Sequence, residues 1–311
     1  MSAPIVLVNA GAGTAAQLTD GPLDRRIAEG FAQAGSRAEV RMIEPARLDE
    51  ALREVRRAER PLIVAGGDGS VSAAVQVFAG SGIPLGVLPL GTYNLLGHDL
   101  GVSTDLDEAV RQLATAGEAR IDLGRIGRRY FHTLVGLGFF SRVARERAQV
   151  RQSMPQSKII GAAVAAVRSF TRGGNLDVTI EAGGRTEACR TPALLVTNNS
   201  LGATTWRRSR LDGGYLEANM LRGDGPFPLL RGGVQAFLGS WRESEDIVTL
   251  RGSELVLSFT RPRVFASIDG ESTRPRTPLH LSSAPGALTC LVPKEPAGGS
   301  GADEPEAALA G

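Results

Sequence analysis

Apolar and polar positions follow two rhythms along the first 125 residues of the chain. Short apolar runs at residues 5–8, 38–43, 61–65 and 84–88 have the continuous hydrophobicity of buried strands. Between them, residues 23–34, 48–58 and 71–78 repeat their apolar positions at helical spacing. In the second of these stretches Leu48, Leu52 and Val55 fall on one face, and Asp105 stands where a cap would open a further helix running to residue 116. Strand and helix in turn predict a parallel sheet covered by helices.

After residue 121 the pattern changes to short strands separated by glycine-containing turns, at 176–180, 186–189, 193–197, 215–221, 247–250, 255–259, 264–268 and 288–292. This half reads as mainly antiparallel β, interrupted by helical stretches at 140–149, continuing near 158–170, and at 228–238. The expected division is a first domain over 1–125 and a β-rich one over 126–293. Residues 294–311 lack aromatic and β-branched side chains, are rich in Ala, Gly, Pro and Glu, and read as a disordered tail.

Composition adds exclusions. A chain of 311 residues exceeds the usual single-domain size, so two cores are expected. The formal charge of +2 gives no whole-molecule field for nucleic acid, so any anionic partner must meet a local basic patch. Cys189 and Cys290 form no CxxC pair and fit packing roles in a reducing cytoplasm. Nothing at the N-terminus resembles a secretory leader, and no apolar run approaches the ~18–20 residues that cross a bilayer. The expectation is a cytoplasmic protein whose membrane contact, if any, is peripheral, at the inner face.

The 39 glycines concentrate where strands end. The apolar run Leu62-Ile63-Val64-Ala65 leads into Gly66-Gly67-Asp68-Gly69-Ser70 and then into helix, a combination that brings backbone amides and a helix N-terminus up to an anion. A tight strand-to-helix turn alone would account for two of those glycines. Pro89-Leu90-Gly91-Thr92-Tyr93-Asn94 repeats the arrangement after the next strand, where Thr92 and Asn94 offer side-chain hydrogen bonds or simply cap a helix. Asn9, Gly11 and Gly13 close the first strand in a weaker third turn. Turns at the ends of neighbouring parallel strands converge on one crevice.

Downstream, Asp269-Gly270-Glu271 ends an apolar strand with two carboxylates, which by strand alternation face one side. Paired acids suit metal binding plus proton abstraction, although an Asp-Gly hairpin turn explains the same letters. His98 reads as a half-exposed helical histidine. Arg142, Arg145, Arg147 and Arg151 read as a solvated helix face, with Phe139 and Phe140 beside them suiting an anionic surface.

Taken together, these turns resemble the bacterial diacylglycerol kinase catalytic family, which is similar to sphingosine kinases and more distantly to NAD kinases and phosphofructokinases. The family's Gly-Gly-Asp-Gly-Thr turn is matched at 66–70 with Ser70 for Thr, its Pro-Leu-Gly-Thr-x-Asn turn at 89–94, and its late Asp-Gly-Glu at 269–271. The likeness runs from residue 4 to about residue 293, and includes Asp122-Leu123-Gly124 and Gly136-Leu137-Gly138-Phe139 at the passage into the second domain. Three departures stand out. Ala10 and Ala12 replace Pro and Ser of the family's first turn, a threonine is missing near Met42 and Ile43, and the acidic Asp-Asp-Gly loop appears as Asp212-Gly213-Gly214.

The resemblance implies a Rossmann-like α/β domain followed by a mainly antiparallel β-sandwich. It implies ATP and Mg2+ as cofactors, with nucleotide held by Asn9, Gly11, Gly13, Gly66, Gly67, Asp68, Gly69, Ser70, Gly91, Thr92 and Asn94. It makes Asp269 and Glu271 the catalytic acids, with Glu271, Asp68 and Asp212 as metal ligands. The implied reaction moves the γ-phosphate of ATP to a hydroxyl of a lipid, such as diacylglycerol or a sphingoid or ceramide-type alcohol, in phospholipid biosynthesis. NAD or sugar phosphorylation, or a non-catalytic nucleotide or lipid sensor, are the alternatives.

Overall fold

The computed structural model describes residues 2–12, 22–153, 174–202, 207–208, 210–223, 228–229, 231 and 241–294. Its first part alternates β1 (Ile5–Asn9), α1 (Leu23–Gln33), β2 (Glu39–Ile43), α2 (Leu48–Arg57), β3 (Leu62–Gly66), α3 (Asp68–Phe78), β4 (Leu85–Pro89), α4 (Leu95–Asp99) and α5 (Leu106–Ala114). The four strands pair in parallel in the order β2-β1-β3-β4. β3 and β4 are buried along their whole length, which is why they read as unbroken apolar runs. On α2 the buried residues are Leu48, Ala51, Leu52 and Val55, the stripe seen in the sequence, and the Asp105 carboxylate caps α5 by accepting from the Glu108 amide at 2.9 Å.

The second part contains β5 (Gly117–Ile126), β6 (Arg129–Phe131), β7 (Leu134–Gly138), α6 (Phe139–Ser153), β8 (Leu176–Ala182), β9 (Arg185–Thr191), β10 (Ala193–Asn198), β11 (Leu216–Leu221), β12 (Ile247–Gly252), β13 (Glu254–Phe259), β14 (Ala266–Ile268), β15 (Glu271–Thr273) and β16 (Leu279–Val292). β12-β11-β10-β7-β14-β15 form one antiparallel sheet. β16, β13, β8 and β9 extend the first sheet, so that Val178, Ile180, Leu255, Leu257, Leu279 and Leu281 pack against Val135, Leu137, Leu194, Val196, Leu216 and Ala218 of the other sheet. This is the β-sandwich.

β16 serves both cores. Leu279 and Leu281 lie in the sandwich, whereas Leu288, Cys290 and Leu291 lie in the α/β core. Sequence pattern revealed only residues 288–292 of this strand, because a bulge between Ala284 and Leu288 interrupts its register. The same sheet contains β5, whose charged alternation hid it. Cys290 is fully buried and burial pushes its thiol up to about 12, while Cys189 is also free, so both are packing residues. The expected helices at 158–170 and over most of 228–238, and the expected tail from 295 onward, lie outside the described residues.

On the sandwich's outer face, the buried Glu217 carboxylate accepts from Arg242 (2.8 Å), Ser200 (2.6 Å), Asn219 (3.0 Å) and Arg251 (2.8 Å). Burial alone would raise its pKa, but the Arg242, Ser200 and Asn219 bonds outweigh it and hold the group below its ordinary value of 4.5. A depressed carboxyl contributes stability that is full above pH 4.5 and fades as pH falls through the lower folded value. Thermal melts of wild type and Glu217→Gln should therefore differ most at neutral pH and converge in acid. A gap that stays constant down to pH 3, in roughly the range where paired carboxylates titrate, would contradict this origin of the stability.

Candidate functional site

The turns after β3 and β4 are neighbours because the strands are. Gly66 pairs with Pro89, and the Leu90 amide donates to the Gly66 carbonyl at 3.0 Å. Their closeness dictates glycine, since a Cβ on Gly91 would sit 2.6 Å from the Cα of Gly67. Asp68, at the start of α3, accepts from the amides of Leu95 (2.8 Å) and Asn94 (3.2 Å), so its carboxylate ties the first turn to the opening of α4. Asn94, with φ of +49°, bonds back to Gly91 through both ends of its amide, at 2.8 and 3.0 Å. On the other side the Asn9 amide donates to the buried Ser70 hydroxyl at 2.8 Å and its oxygen accepts from Gly11 at 3.0 Å.

Asn9, Gly11, Gly66, Gly67, Asp68, Ser70, Gly91 and Asn94 thus meet at the C-terminal ends of three parallel strands, with Gly69 and Thr92 exposed beside them. Gly13 lies outside the described residues. Most polar side chains here hold the turns, which leaves backbone amides to face a ligand. α3 opens with Asp68 and Gly69, whose amides as first-turn donors have no helical acceptor. Such a main-chain arrangement is chemically suited to an anion.

Asp269 and Gly270 form the two-residue hairpin turn between β14 and β15, with φ of +46° and +87°, and Glu271 opens β15. The two carboxylates do not share a side, because the left-handed turn residue escapes strand alternation. Asp269 points inward, its side chain 1% exposed, and accepts from the amides of His132 (2.8 Å), Thr133 (2.9 Å) and Leu134 (3.0 Å). Glu271 is half-exposed and pairs with Arg129. The hairpin reaches α3 through His132, whose buried Nε2 lies 3.5 Å from Asp269 Oδ2 and 3.4 Å from the hydroxyl of Ser72, one turn into that helix.

Two further buried groups join the halves; the sequence marked Asp122 only as part of the family-like Asp-Leu-Gly and gave no sign of Arg208's role. Arg208 grips Asp99 at the end of α4 with bonds of 2.7, 2.9 and 3.0 Å, and donates to the carbonyls of His132 and Asn198. Its only sequence cue was a local run of arginines. Asp122 accepts from Gly214 (2.6 Å) and Gly286 (2.8 Å), clamping the 211–214 loop and the β16 bulge onto β5. His98 lies on α4, half-buried, as expected.

The expected metal ligands are not gathered. Asp212 is exposed and pairs with Arg210 at 3.2 Å, while Asp68 and Glu271 have the separate partners described. Among the described residues no three acidic, histidine or cysteine side chains converge. The acid missing at Gly213 has a steric counterpart, since a Cβ there would approach Asn199 Oδ1 to 2.6 Å and the Tyr215 ring to 2.7 Å.

Residues 4–126 match the diacylglycerol kinase catalytic domain. The chain is 30% identical over 243 residues, 75% of its own length and 77% of the relative's, to a diacylglycerol kinase of Mycobacterium tuberculosis. It belongs to the diacylglycerol kinase family. A shorter match, 32% over 99 residues, links it to the diacylglycerol kinase of Staphylococcus saprophyticus. Two Bacillus anthracis structures described as putative diacylglycerol kinases share the fold over 93% of the chain and 97% and 96% of theirs, with TM-scores of 0.74 and 0.71 at 19% identity. At family level the chain is a kinase acting on an alcohol group, and the Rossmann-like domain with its antiparallel partner is the family's architecture. Among its described residues, no helix is long and apolar enough to cross a membrane.

The diacylglycerol kinase fold places the Arg208–Asp99 pair where the two halves meet, so its loss should be costly. Arg208→Met leaves Asp99 buried without its partner and should lower unfolding free energy by about 3–5 kcal/mol in urea titrations. Asp99→Leu combined with Arg208→Met should recover much of it. Equal loss in the single and double variants would show that the pair's charges are not what matters.

Proposed function

We propose that this protein transfers the γ-phosphate of ATP to the hydroxyl of a lipid alcohol of the diacylglycerol type. The observation that carries the reading is the docking of the acid hairpin, through His132 and Ser72, on the first turns of the helix that opens the anion site. The Asp68 and Gly69 amides at the start of α3, with the exposed Thr92 of the 89–94 turn beside them, suit the triphosphate, since phosphoryl transfer depends chiefly on positioning and charge neutralisation. Asn9, Gly11, Ser70, Thr92 and Asn94 shape that cradle.

Magnesium fits as a companion of the triphosphate, because it keeps its waters and commonly takes one or two carboxylates plus phosphate oxygens. Asp68 is the carboxylate in the cradle, and each of its oxygens keeps a lone pair beyond the amide it accepts. When bound, the ion neutralises phosphate charge. Asp212 stands outside this cluster.

On the acceptor side the two acids divide the work. Three of the roughly four lone-pair sites of Asp269 are taken by backbone amides, which makes it the group that shapes the hairpin and the 132–134 loop. Glu271 is the acid that a substrate hydroxyl can reach, and it accepts the proton while Arg129 holds it in place.

The test follows label from [γ-32P]ATP into a chloroform-extractable product, with diacylglycerol, a ceramide, a sphingoid base and NAD as acceptors. Lipid labelling is expected, with NAD unlabelled. Glu271→Gln should lose about 10²–10⁴ in rate while binding ATP normally, as loss of a general base does. Labelling of NAD alone would sink the lipid reading, and a Glu271→Gln variant within about a tenth of wild-type rate would remove Glu271 from the base role.

A further inference from the structure

The far end of the acid hairpin carries a second set of features. Two Arg-Pro-Arg segments, at 261–263 and 274–276, flank β14 and β15 and are held side by side. The Arg263–Arg276 bridge, the Val264 amide on the Pro275 carbonyl (3.3 Å) and the Thr277 amide on the Pro262 carbonyl (3.1 Å) fix them. Proline at the centre of each segment fixes its backbone torsion. Arg261, Arg263, Arg274 and Arg276 are all exposed.

Phe265 stands among them. Val264 and Ala266 are buried, and strand alternation turns the phenyl ring between them outward, where it is 41% exposed. The guanidiniums of Arg145, on α6, and of Arg274 lie over that ring, 4.6 and 4.9 Å from its centre. Residues 260–277 contain two acids, and both are engaged elsewhere, Asp269 by backbone amides and Glu271 by Arg129. Among the described residues, no ion pair joins the four arginines to a carboxylate. In a chain of 35 basic and 33 acidic residues, such segregation is local and specific.

We propose that this patch docks the protein on an anionic lipid bilayer, with Phe265 entering the headgroup layer and the arginines pairing with lipid phosphates. Charge complementarity selects an anionic partner, and the central exposed aromatic selects a membrane over nucleic acid, because its ring gains by leaving water. Position supports the same occupant. β14 and β15 are each three residues long, so the acid turn stands only roughly 10 Å along the hairpin from the patch, within reach of a lipid alcohol drawn from the surface the patch contacts. The proposal takes its relevance from the lipid-acceptor reading, but vesicle binding is measured without catalysis, so the two can fail separately.

The experiment sediments the full chain with vesicles of phosphatidylcholine, with and without phosphatidylglycerol, at low and high salt. Wild type should pellet only with the anionic vesicles and less at high salt. At roughly fivefold per arginine, a variant with Arg261, Arg263, Arg274 and Arg276 all changed to Gln should bind roughly 600-fold more weakly, and the matching Lys variant should keep most binding. Phe265→Ser should remove the salt-resistant part. Both variants should melt like wild type, because the patch is exposed, and the Gln variant should still phosphorylate a soluble short-chain diacylglycerol at the wild-type rate. Vesicle binding unchanged by the four Gln substitutions would overturn the proposal, as would tighter binding of wild type to an oligonucleotide than to the anionic vesicles. If no acceptor is labelled but vesicle binding still depends on the patch, docking stands and the kinase reading falls.

Discussion

One strand, β16, fixes the geometry on which the rest of the molecule depends. Its first residues fill the sandwich core and its last residues fill the α/β core, so neither hydrophobic cluster closes without it. Burial of these apolar side chains stabilises each core by roughly 1.5–3 kcal/mol per fully buried Leu, and a strand common to both sets their separation as it does so. The bulge between Ala284 and Leu288 lies where the strand passes from one core to the other, and Asp122 holds it there through the Gly286 amide.

Once the cores are set, the site follows from strand ends and buried polar links. Parallel pairing of β3 and β4 brings two glycine turns into contact, and Asp68 joins them. Arg208, held by Asp99 on α4, reaches the carbonyl of His132, whose amide meets Asp269. Through Asp68, which holds the start of α4, these bonds connect the glycine turns to the acid hairpin. Such networks rigidify what they connect.

The α/β half was legible because its strands are buried on both faces and its helices carry clear apolar stripes. The turn at 66–70 was legible because three glycines between an apolar strand and a helix serve mainly to bring backbone amides close to an anion. Elements that face water on one side were harder. β5 begins with alternating charged residues, and β6 is three residues long. Side-chain partners separated by a hundred positions, such as Arg208 and Asp99, leave no period to detect. The Asp-Gly turn announced a hairpin but could not say that the Asp269 carboxylate turns inward to three amides, which is what distinguishes it from Glu271.

The central claim is that the two glycine turns and the acid hairpin form one phosphoryl-transfer site. It is tested most directly by a crystal structure of the protein soaked with magnesium and a non-hydrolysable ATP analogue. The account predicts the triphosphate on the Asp68 and Gly69 amides at the start of α3, beside Thr92 of the 89–94 turn, with its terminal phosphate directed toward Glu271. Nucleotide bound against the sandwich, or a terminal phosphate directed away from the hairpin, would contradict it.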